Sequence, residues 1–393
     1  MTDTPAQSLL QKTISALPKA PPLIVFSGMP GAGKARLAKK IFPDFASCDL
    51  FDELPGSPIQ TEPWTFFSNN APKLIINNAD LYPEILRYLP EPASGKQIVL
   101  IGNFHKSVLL PLIQGGKAAI FWVDPSPAGS KTAVRGSAFA ITPEPVRISY
   151  PEIGFFDSVR NGGLPRPQSL VTTGRFYADW LSEFFRDTVE RRWHVEKTSQ
   201  FMAFLKALAR SSASEINHSV LAKEAGVSYR TAMYWAEFLL EAGVLFEIPS
   251  LVLGVRRQVR RSKVLFSDSG LQCFLLGIRS TEEMVSSPYY ENIIESCALA
   301  AILKSYRSRG LTPEVFYYRD TSGKTIPCVI QTNYGYVPVG FLTQNAQDPA
   351  KVLREMGVLS RIGLRAADPV FLTDGTVVRE SSDIALVSIS DIG

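Results

Sequence analysis

A glycine-rich turn constrains the fold of this 393-residue chain more than any other feature. The apolar residues 23–26 predict a buried strand, and the amphipathic residues 37–41 predict a helix. Between them lie glycines spaced to turn backbone N–H groups toward an anion, followed by a lysine. We therefore predict a phosphate-binding P-loop, although a tight turn without a ligand would contain the same glycines. The predicted nucleotide contacts in this loop are Gly28, Pro30, Gly31, Ala32, Gly33, Lys34 and Ala35.

The positions that would hold a magnesium ion depart from the P-loop pattern. Ala35 stands where the pattern has a serine or threonine hydroxyl. The next predicted strand ends in Asn77 and Asn78, which are neutral amides where hydrolytic sites carry carboxylates. Asp80 follows closely but is offset from the strand end. The sequence thus predicts ATP or ADP as the ligand, argues against magnesium, and assigns no catalytic residue.

The chain divides into three predicted units of mixed α/β class, in line with about 150 residues per domain. Further apolar runs separated by helix-length segments predict that residues 1–150 form a P-loop domain with a parallel sheet. Apolar residues at helical spacing predict a mostly helical region with a winged helix over residues 151–288. One helix followed by strand-like runs predicts a small α/β domain over residues 289–393.

A second motif, at residues 218–245, predicts two helices around a tight turn. Gly226 permits the turn, and Ser228 is suited to cap the second helix. Apolar runs at residues 244–248 and 263–266 predict the strands of a wing. The residues predicted to approach a DNA groove are Tyr229, Arg230 and Tyr234.

The net charge of the chain is concentrated beside this motif. The formal charge is 41 − 37 = +4, and residues 256–263 contain five positive side chains and no negative one, so the remainder sums to 4 − 5 = −1. Two interpretations stay open: a phosphate-contacting wing of weak sequence preference, or a solvated turn on a packing module. The predicted phosphate contacts are Arg256, Arg257, Arg260, Arg261 and Lys263.

The order of the motifs resembles that of the prokaryotic AAA-type ATPases with a C-terminal half of unknown function. The motifs that carry the resemblance are residues 28–34, 77–78, 101–103, 162–166, 186–187 and 266–271, and the helix-turn-helix around Gly226. The resemblance spans nearly the whole chain. In that family the lysine is followed by serine or threonine and the strand ends in Asp-Glu, so Ala35, Asn77 and Asn78 are departures. Asn103 falls where such ATPases place a polar sensor of the terminal phosphate; an ordinary strand-ending asparagine is the alternative.

The same resemblance implies a C-terminal domain of restriction-endonuclease-like fold. Its opening pattern matches residues 317–324, but the metal-binding positions fall at Pro327 and near Gly340 and Leu342. These residues cannot form a two-carboxylate metal site, so no nuclease activity is expected. Tyr317, Tyr318 and Tyr336 are expected to be half-buried strand residues, not a nucleotide-stacking platform.

Several other classes are excluded by composition. The longest apolar runs are far shorter than the roughly 18 residues of a membrane-spanning helix, and the N-terminal residues do not resemble a signal peptide. Four scattered cysteines and three isolated histidines predict neither disulfides nor a zinc site. We therefore expect a soluble, cytoplasmic protein without a membrane partner.

Three functions remain after these exclusions. The first is a degenerate AAA-type nucleotide-binding protein, a pseudo-ATPase that acts by binding DNA or protein partners. The second is a slow magnesium-dependent ATPase in which Asp80 or another acid replaces the lost ligands. The third is a winged-helix DNA-binding regulator whose P-loop domain is only a scaffold. The sequence names no pathway or oligomeric state.

Overall fold

A computed structural model shows an α/β protein with a parallel sheet, a helical middle and a C-terminal mixed sheet, in that chain order. The structure describes residues 5–15, 21–52, 56–69, 71–89, 95–127, 154–166, 172–252, 261–312, 314–320, 322–343, 349–375 and 385–392. The predicted fold class is confirmed. No helix in these ranges has the length and hydropathy needed to span a membrane.

The N-terminal part is a five-stranded parallel sheet with helices around it. Its helices are α1 (Pro5–Ser15), α2 (Lys34–Ile41), α3 (Pro58–Thr61), α4 (Pro63–Asn69) and α5 (Lys106–Gln114), with 3₁₀ helices at Ala79–Leu81 and Pro83–Tyr88. Its strands are β1 (Leu23–Ser27), β2 (Ala46–Asp49), β3 (Lys73–Asn77), β4 (Gln97–Ile101) and β5 (Ala118–Trp122). The order is β2-β3-β4-β1-β5, and all neighbours are parallel. The carboxyl ends of β1, β3 and β4 therefore meet at one edge, where ligands bind in sheets of this kind.

The middle part is mostly helical and contains the predicted winged helix. Its helices are α6 (Phe155–Asn161), α7 (Thr173–Phe184), α8 (Thr198–Arg210), α9 (His218–Ala225), α10 (Tyr229–Glu241), α11 (Ser269–Leu275) and α12 (Thr281–Ser286), with a π-helical segment at Phe185–Glu190. Its strands are β6 (Ser214–Glu215), β7 (Leu245–Ile248) and β8 (Lys263–Phe266), in the order β6-β8-β7. Gly226 has a φ of 67° between α9 and α10, and the Ser228 hydroxyl accepts the Thr231 N–H at 3.0 Å. Both local predictions are therefore confirmed.

The parallel sheet and the helical middle share one apolar core. Phe26 of β1 and Leu37 of α2 belong to the same buried cluster as Phe201, Phe204 and Trp235. Trp235 packs edge-on against both phenylalanines, with ring centroids 5.0 and 5.5 Å away. Burying aromatic side chains of this size contributes several kcal/mol each, about 3–5 for Phe→Ala. The P-loop sheet is thus packed directly on the winged-helix region.

The C-terminal part is a mixed sheet packed on one long helix. Its helices are α13 (Tyr290–Arg307), α14 (Pro349–Met356) and α15 (Val358–Arg361), with a 3₁₀ helix at Ile389–Asp391. Its strands are β9 (Val315–Arg319), β10 (Thr325–Thr332), β11 (Gly335–Leu342), β12 (Val370–Thr373) and β13 (Ala385–Ser388). Strands β9, β10 and β11 are antiparallel, and β11, β12 and β13 are parallel. Tyr317 and Tyr318 are only 1% and 3% exposed, so the half-buried prediction is wrong for these two because both face packed layers.

Candidate functional site

The loop after β1 has the backbone geometry of a P-loop. Gly28, Gly31 and Gly33 have φ angles of 128°, 81° and 89°, a region that only glycine enters at low cost. A Cβ atom on Gly28 would lie 2.3 Å from the carbonyl oxygen of Val123, so the loop also needs glycine there for space. Helix α2 begins at Lys34, directly after the loop, and its N-terminus faces the same cleft. The glycines and Lys34 thus form a tight turn between β1 and α2, and their role as phosphate contacts stays a prediction.

Lys34 folds back over the loop that it follows. Its Nζ donates to the carbonyl oxygens of Gly28 and Met29, at 2.6 and 3.0 Å. Burial lowers the pKa of Lys34 to about 8, with nearby Arg192 lowering it further and the carboxylates of Asp80 and Asp124 opposing the shift. The ammonium group is therefore held at the loop and is still charged at neutral pH.

Asn103 joins the loop to the neighbouring strand. Its side-chain oxygen accepts the Ser27 hydroxyl at 2.8 Å and the Gly28 N–H at 2.9 Å. Its backbone N–H donates to Asp80 at 3.0 Å. The structure thus brings Asn103 to the predicted place beside the P-loop, where its oxygen orients the first glycine.

An arginine from the helical region occupies the end of β3. Arg192 forms a salt bridge with Asp80 and donates a second hydrogen bond to the side-chain oxygen of Asn78 at 2.6 Å. The Asn78 amide in turn donates to Asp49 at 2.7 Å. The Arg192 and Asp80 side chains are only 15% and 7% exposed, so this is a largely buried ion pair. Arg192 Nε–H has no hydrogen-bond partner within the described part of the chain.

These contacts disfavour a magnesium ion at the end of β3. Ala35 has no ligand atom, and the Asn78 oxygen is already used by Arg192. Asp80 accepts from Arg192 and from Asn103 through Oδ2, whereas Asp80 Oδ1 and Asn77 Oδ1 have no hydrogen-bond partner within the described residues. A guanidinium and a divalent cation would compete for Asp80 Oδ2 and the Asn78 oxygen, and their positive charges would repel each other. Arg192 therefore places a positive charge where a metal ion would have to bind.

Helix α7 and the π-helical segment Phe185–Glu190 line one side of the cleft beside the glycine loop. Trp180 donates its indole N–H to the Pro30 carbonyl at 3.0 Å and stacks on Phe184 at 5.0 Å. The cleft has a volume of about 380 Å³. Its lining includes Lys34, Asn78, Asn103, Trp180, Asp187 and Arg192. Sequence reasoning missed Trp180 and Arg192 as site residues because no motif near them indicates a phosphate contact.

The end of α10 also packs against the P-loop. A Cβ atom on Gly243 would lie 2.8 Å from the Met29 backbone nitrogen, so the turn after α10 touches the loop directly. The Ser267 hydroxyl, directly after β8, donates to the Gly243 carbonyl at 2.6 Å. The winged helix is therefore in contact with the glycine loop.

The predicted DNA-contact residues on α10 lie on its outer face. Tyr229 and Tyr234 are 54% and 45% exposed, whereas Trp235 is buried. Arg230 is exposed and donates to the Tyr234 hydroxyl at 3.1 Å. Met233, a residue that the sequence did not single out, is exposed beside them. These side chains form one continuous polar and aromatic surface.

The predicted phosphate contacts of the wing divide into three groups. Arg261 is exposed at the start of the described part of the wing. Lys263 forms a salt bridge of 2.7 Å with Glu295 and is only 14% exposed, so its charge is neutralised inside the protein and does not face a groove. The predicted contacts that lie outside the described residues are Arg256, Arg257 and Arg260.

The C-terminal positions that correspond to nuclease metal ligands are filled by packing. A Cβ atom on Gly340 would lie 2.7 Å from Met356 and 2.9 Å from Phe371, so no longer side chain fits there. Leu342 is buried in the same apolar cluster. Apolar side chains therefore occupy the space around Gly340 and Leu342.

Comparison with known proteins identifies one family model and several distant structures. The model, described as a domain of unknown function (DUF8612), matches residues 154–282. No curated protein matches the chain.

The solved structures align at low similarity. A STAND (Signal Transduction ATPase with Numerous Domains) protein with a tetratricopeptide repeat sensor from Pyrococcus horikoshii is 13% identical, with a TM-score of 0.23, over 78% of this chain and 47% of that one. This chain thus spans about half the length of the STAND protein. Cdc6p from Pyrobaculum aerophilum is 14% identical, with a TM-score of 0.24, over 70% and 93% of the two chains. The structure of Drosophila ORC bound to AT-rich DNA and Cdc6 aligns at 12% identity and a TM-score of 0.20, over 69% and 92%. At these TM-scores the alignments establish neither an activity nor a partner.

Proposed function

We propose that this protein binds a nucleoside di- or triphosphate at the P-loop edge and acts through binding, without magnesium-assisted hydrolysis. The observation that carries the proposal is the pairing of an intact phosphate loop with an arginine at the end of β3. Lys34 and the loop N–H groups supply phosphate donors, as in other P-loops. Arg192 supplies a second positive charge at the edge where a metal ion would otherwise stand.

The glycine loop with Lys34 is the part of the cleft best suited to an anion, because charges of both signs line the remainder. The basic lining residues are Lys34, Arg36 and Arg192, the acidic ones are Asp49, Glu183 and Asp187, and Asp80 forms a salt bridge with Arg192. The terminal nitrogens of Arg192 are bonded to Asp80 and Asn78, so Arg192 acts on a bound phosphate through its charge, which arginine keeps at all relevant pH values. A phosphate group that displaces the Lys34 ammonium from the Gly28 and Met29 carbonyls would exchange neutral acceptors for a charged one.

Restoring the missing ligands tests the loss of hydrolysis. The variant combines Ala35→Thr, Asn77→Asp and Asn78→Glu, and its matched control is Ala35→Val, which has the shape of threonine without the hydroxyl oxygen. We expect the natural chain to release no phosphate above background with magnesium, and the combined variant to gain magnesium-dependent nucleotide affinity because it regains hard oxygen ligands. Robust magnesium-dependent turnover by the natural chain would support the slow-ATPase alternative and overturn the proposal.

The affinity for ADP is expected to fall as the pH rises through 8. The pKa of Lys34 is lowered to about 8, and a bound phosphate favours the charged ammonium, so binding above this pH requires proton uptake. Between about pH 7.5 and 9 the affinity should drop about eightfold, as measured by calorimetry. The Lys34→Arg variant should lose this dependence, because arginine stays protonated. A natural chain whose affinity is the same at both pH values would contradict the role of Lys34.

A second candidate function is contact with duplex DNA through α10 and the wing. The outer face of α10 presents Tyr229, Arg230 and Tyr234 together, as a recognition helix does. Lys263 is paired with Glu295, so four of the five basic residues predicted to contact phosphate are left as candidates. These are Arg256, Arg257, Arg260 and Arg261.

The salt dependence of DNA binding tests this candidate. Four phosphate contacts predict a log-affinity against log-salt slope of about −3.6. Replacing Arg256, Arg257, Arg260 and Arg261 by glutamine should abolish binding, whereas Lys263→Gln should leave the slope unchanged. No binding by the natural chain at about 50 mM salt would reject DNA as the partner and leave a protein partner.

A further inference from the structure

One cluster of metal-ligating side chains lies outside the nucleotide cleft and joins two parts of the fold. His105 precedes helix α5, two residues after Asn103, while Glu237 and Glu241 are one turn apart on α10. The ligand atoms of all three lie within 4.8 Å of one another. The folded chain thus groups residues that the sequence separates by more than a hundred positions. We propose that His105, Glu237 and Glu241 bind a zinc-type divalent transition-metal ion that clamps the winged helix to the P-loop sheet.

The distances in the cluster favour a metal over a hydrogen bond. His105 Nε2 lies 3.6 Å from Glu237 Oε1 and 3.4 Å from Glu241 Oε1. Both separations exceed the usual length of a hydrogen bond, about 2.7–3.2 Å. In a tetrahedral zinc site with bonds of about 2.0–2.1 Å, neighbouring ligand atoms are about 3.4 Å apart. The histidine nitrogen therefore already lies at about a tetrahedral-edge distance from one oxygen of each glutamate, and the two glutamate oxygens lie within 4.8 Å of each other.

The charges of the cluster also favour the binding of a cation. Glu237 and Glu241 share one side of α10 at i,i+4, a spacing at which like charges repel. Burial raises the pKa of Glu241, the charge of Glu237 raises it further, and His105 opposes the rise. A divalent ion would relieve this repulsion and accept one nitrogen and two oxygen ligands, a donor set that suits zinc. Water would complete the coordination, as in zinc sites with three protein ligands.

The other ring nitrogen of His105 is held by a neighbouring serine. Nδ1 lies 2.6 Å from the Ser107 hydroxyl and 3.2 Å from the Ser107 N–H. Metal binding at Nε2 places the ring proton on Nδ1, which then donates to the hydroxyl oxygen and fixes the ring. With a proton on Nδ1, the hydrogen bond from the Ser107 backbone N–H to Nδ1 is lost. The free energy of that helix cap is modest, and metal coordination at Nε2 offsets its loss.

The cluster lies between the end of α10 and the residues that follow β4, so an ion bound there would link these two parts of the fold. Glu241 is the last residue of α10, and the Asn103 amide approaches the Ala242 carbonyl at 3.5 Å. Asn103 also orients Gly28 of the phosphate loop. An ion at the cluster would therefore fix α10 relative to the nucleotide edge, independently of whether nucleotide is bound.

Zinc titration of the full chain, freed of purification tags, tests the proposal. We expect one zinc ion per chain by calorimetry and a higher Tm with zinc. Both His105→Ala and the Glu237→Gln, Glu241→Gln double variant should weaken zinc binding at least tenfold, as expected when ligands are lost. The matched controls are His218→Ala, on α9, and Glu224→Gln, which removes an exposed acid paired with Arg210.

The results distinguish zinc binding by His105, Glu237 and Glu241 from zinc binding by other residues. Equal weakening by both ligand variants, with both controls at the natural affinity, supports the clamp. No saturable zinc binding by the natural chain would overturn it. Unchanged zinc affinity in His105→Ala would also overturn it, because the ion would then be held elsewhere, for example by Cys48, which is partly exposed. His105 and Glu237 are exposed, so their replacement is expected to leave the fold intact.

Discussion

Replacing Lys34 by glutamine is expected to weaken ADP binding at least about 100-fold, because it removes the charged donor that the phosphate loop holds in place. The ammonium of Lys34 donates to two loop carbonyls, and a bound phosphate would replace these neutral acceptors by a charged one. A charge in a partly buried cleft contributes more than a surface charge, since solvent screens it less. Calorimetric titration with ADP measures the effect.

The control for this experiment is Lys39→Gln, which removes the same charge from an exposed position on the same helix. We expect this control to bind ADP within about twofold of the natural chain, because solvent screens its charge. Equal affinities for Lys34→Gln and the natural chain would show that the loop does not bind phosphate. A circular-dichroism spectrum checks that both variants fold.

Replacing Arg192 by methionine is expected to lower the free energy of unfolding by about 3 kcal/mol, because it leaves the Asp80 carboxylate buried without its partner. Asp80 keeps the Asn103 N–H as a donor, which limits the loss. The double variant with Asp80→Asn should recover most of the stability, since no buried charge then remains. Urea denaturation of the natural chain, the two single variants and the double variant measures this cycle.

The neighbouring Arg191 provides the control for Arg192. Arg191 is exposed and contacts the Phe51 ring and backbone, so Arg191→Met should cost at most about 1 kcal/mol. If Arg192→Met lowered the free energy of unfolding by no more than Arg191→Met does, the Arg192–Asp80 pair would not be holding the helical region to the end of β3. In the folded Arg192→Met variant, ADP affinity should also fall, which a purely structural role would not require.

The sequence predicts those features of the site that depend on neighbours along the chain. The loop glycines, Lys34 and the ends of β3 and β4 lie beside apolar strands, and parallel strands bring their carboxyl ends together. The helix-turn-helix is similarly local, since Gly226 and Ser228 set its turn and cap. Periodicity and turn chemistry act over a few residues, so such features can be predicted from one sequence.

The features that the sequence did not predict are contacts between distant segments. Arg192 meets Asp80 across 112 residues, and no pattern around either residue indicates the pair. Lys263 was predicted as a DNA phosphate contact from its place in a basic run, but its ammonium is directed to Glu295 on α13. Packing of one unit on another decides such pairs, and that packing depends on the whole fold. The predicted domain boundaries at 150 and 288 stay predictions.

We propose that the cleft binds nucleotide through Lys34 and Arg192 without a metal ion. The most direct measurement is the affinity of the natural chain for ADP and ATP by calorimetry, in magnesium and in EDTA, with phosphate release followed in parallel. We expect the affinities in the two buffers to agree within about threefold, with no phosphate release above background. An affinity at least about tenfold higher with magnesium, together with saturable ATP turnover, would contradict it.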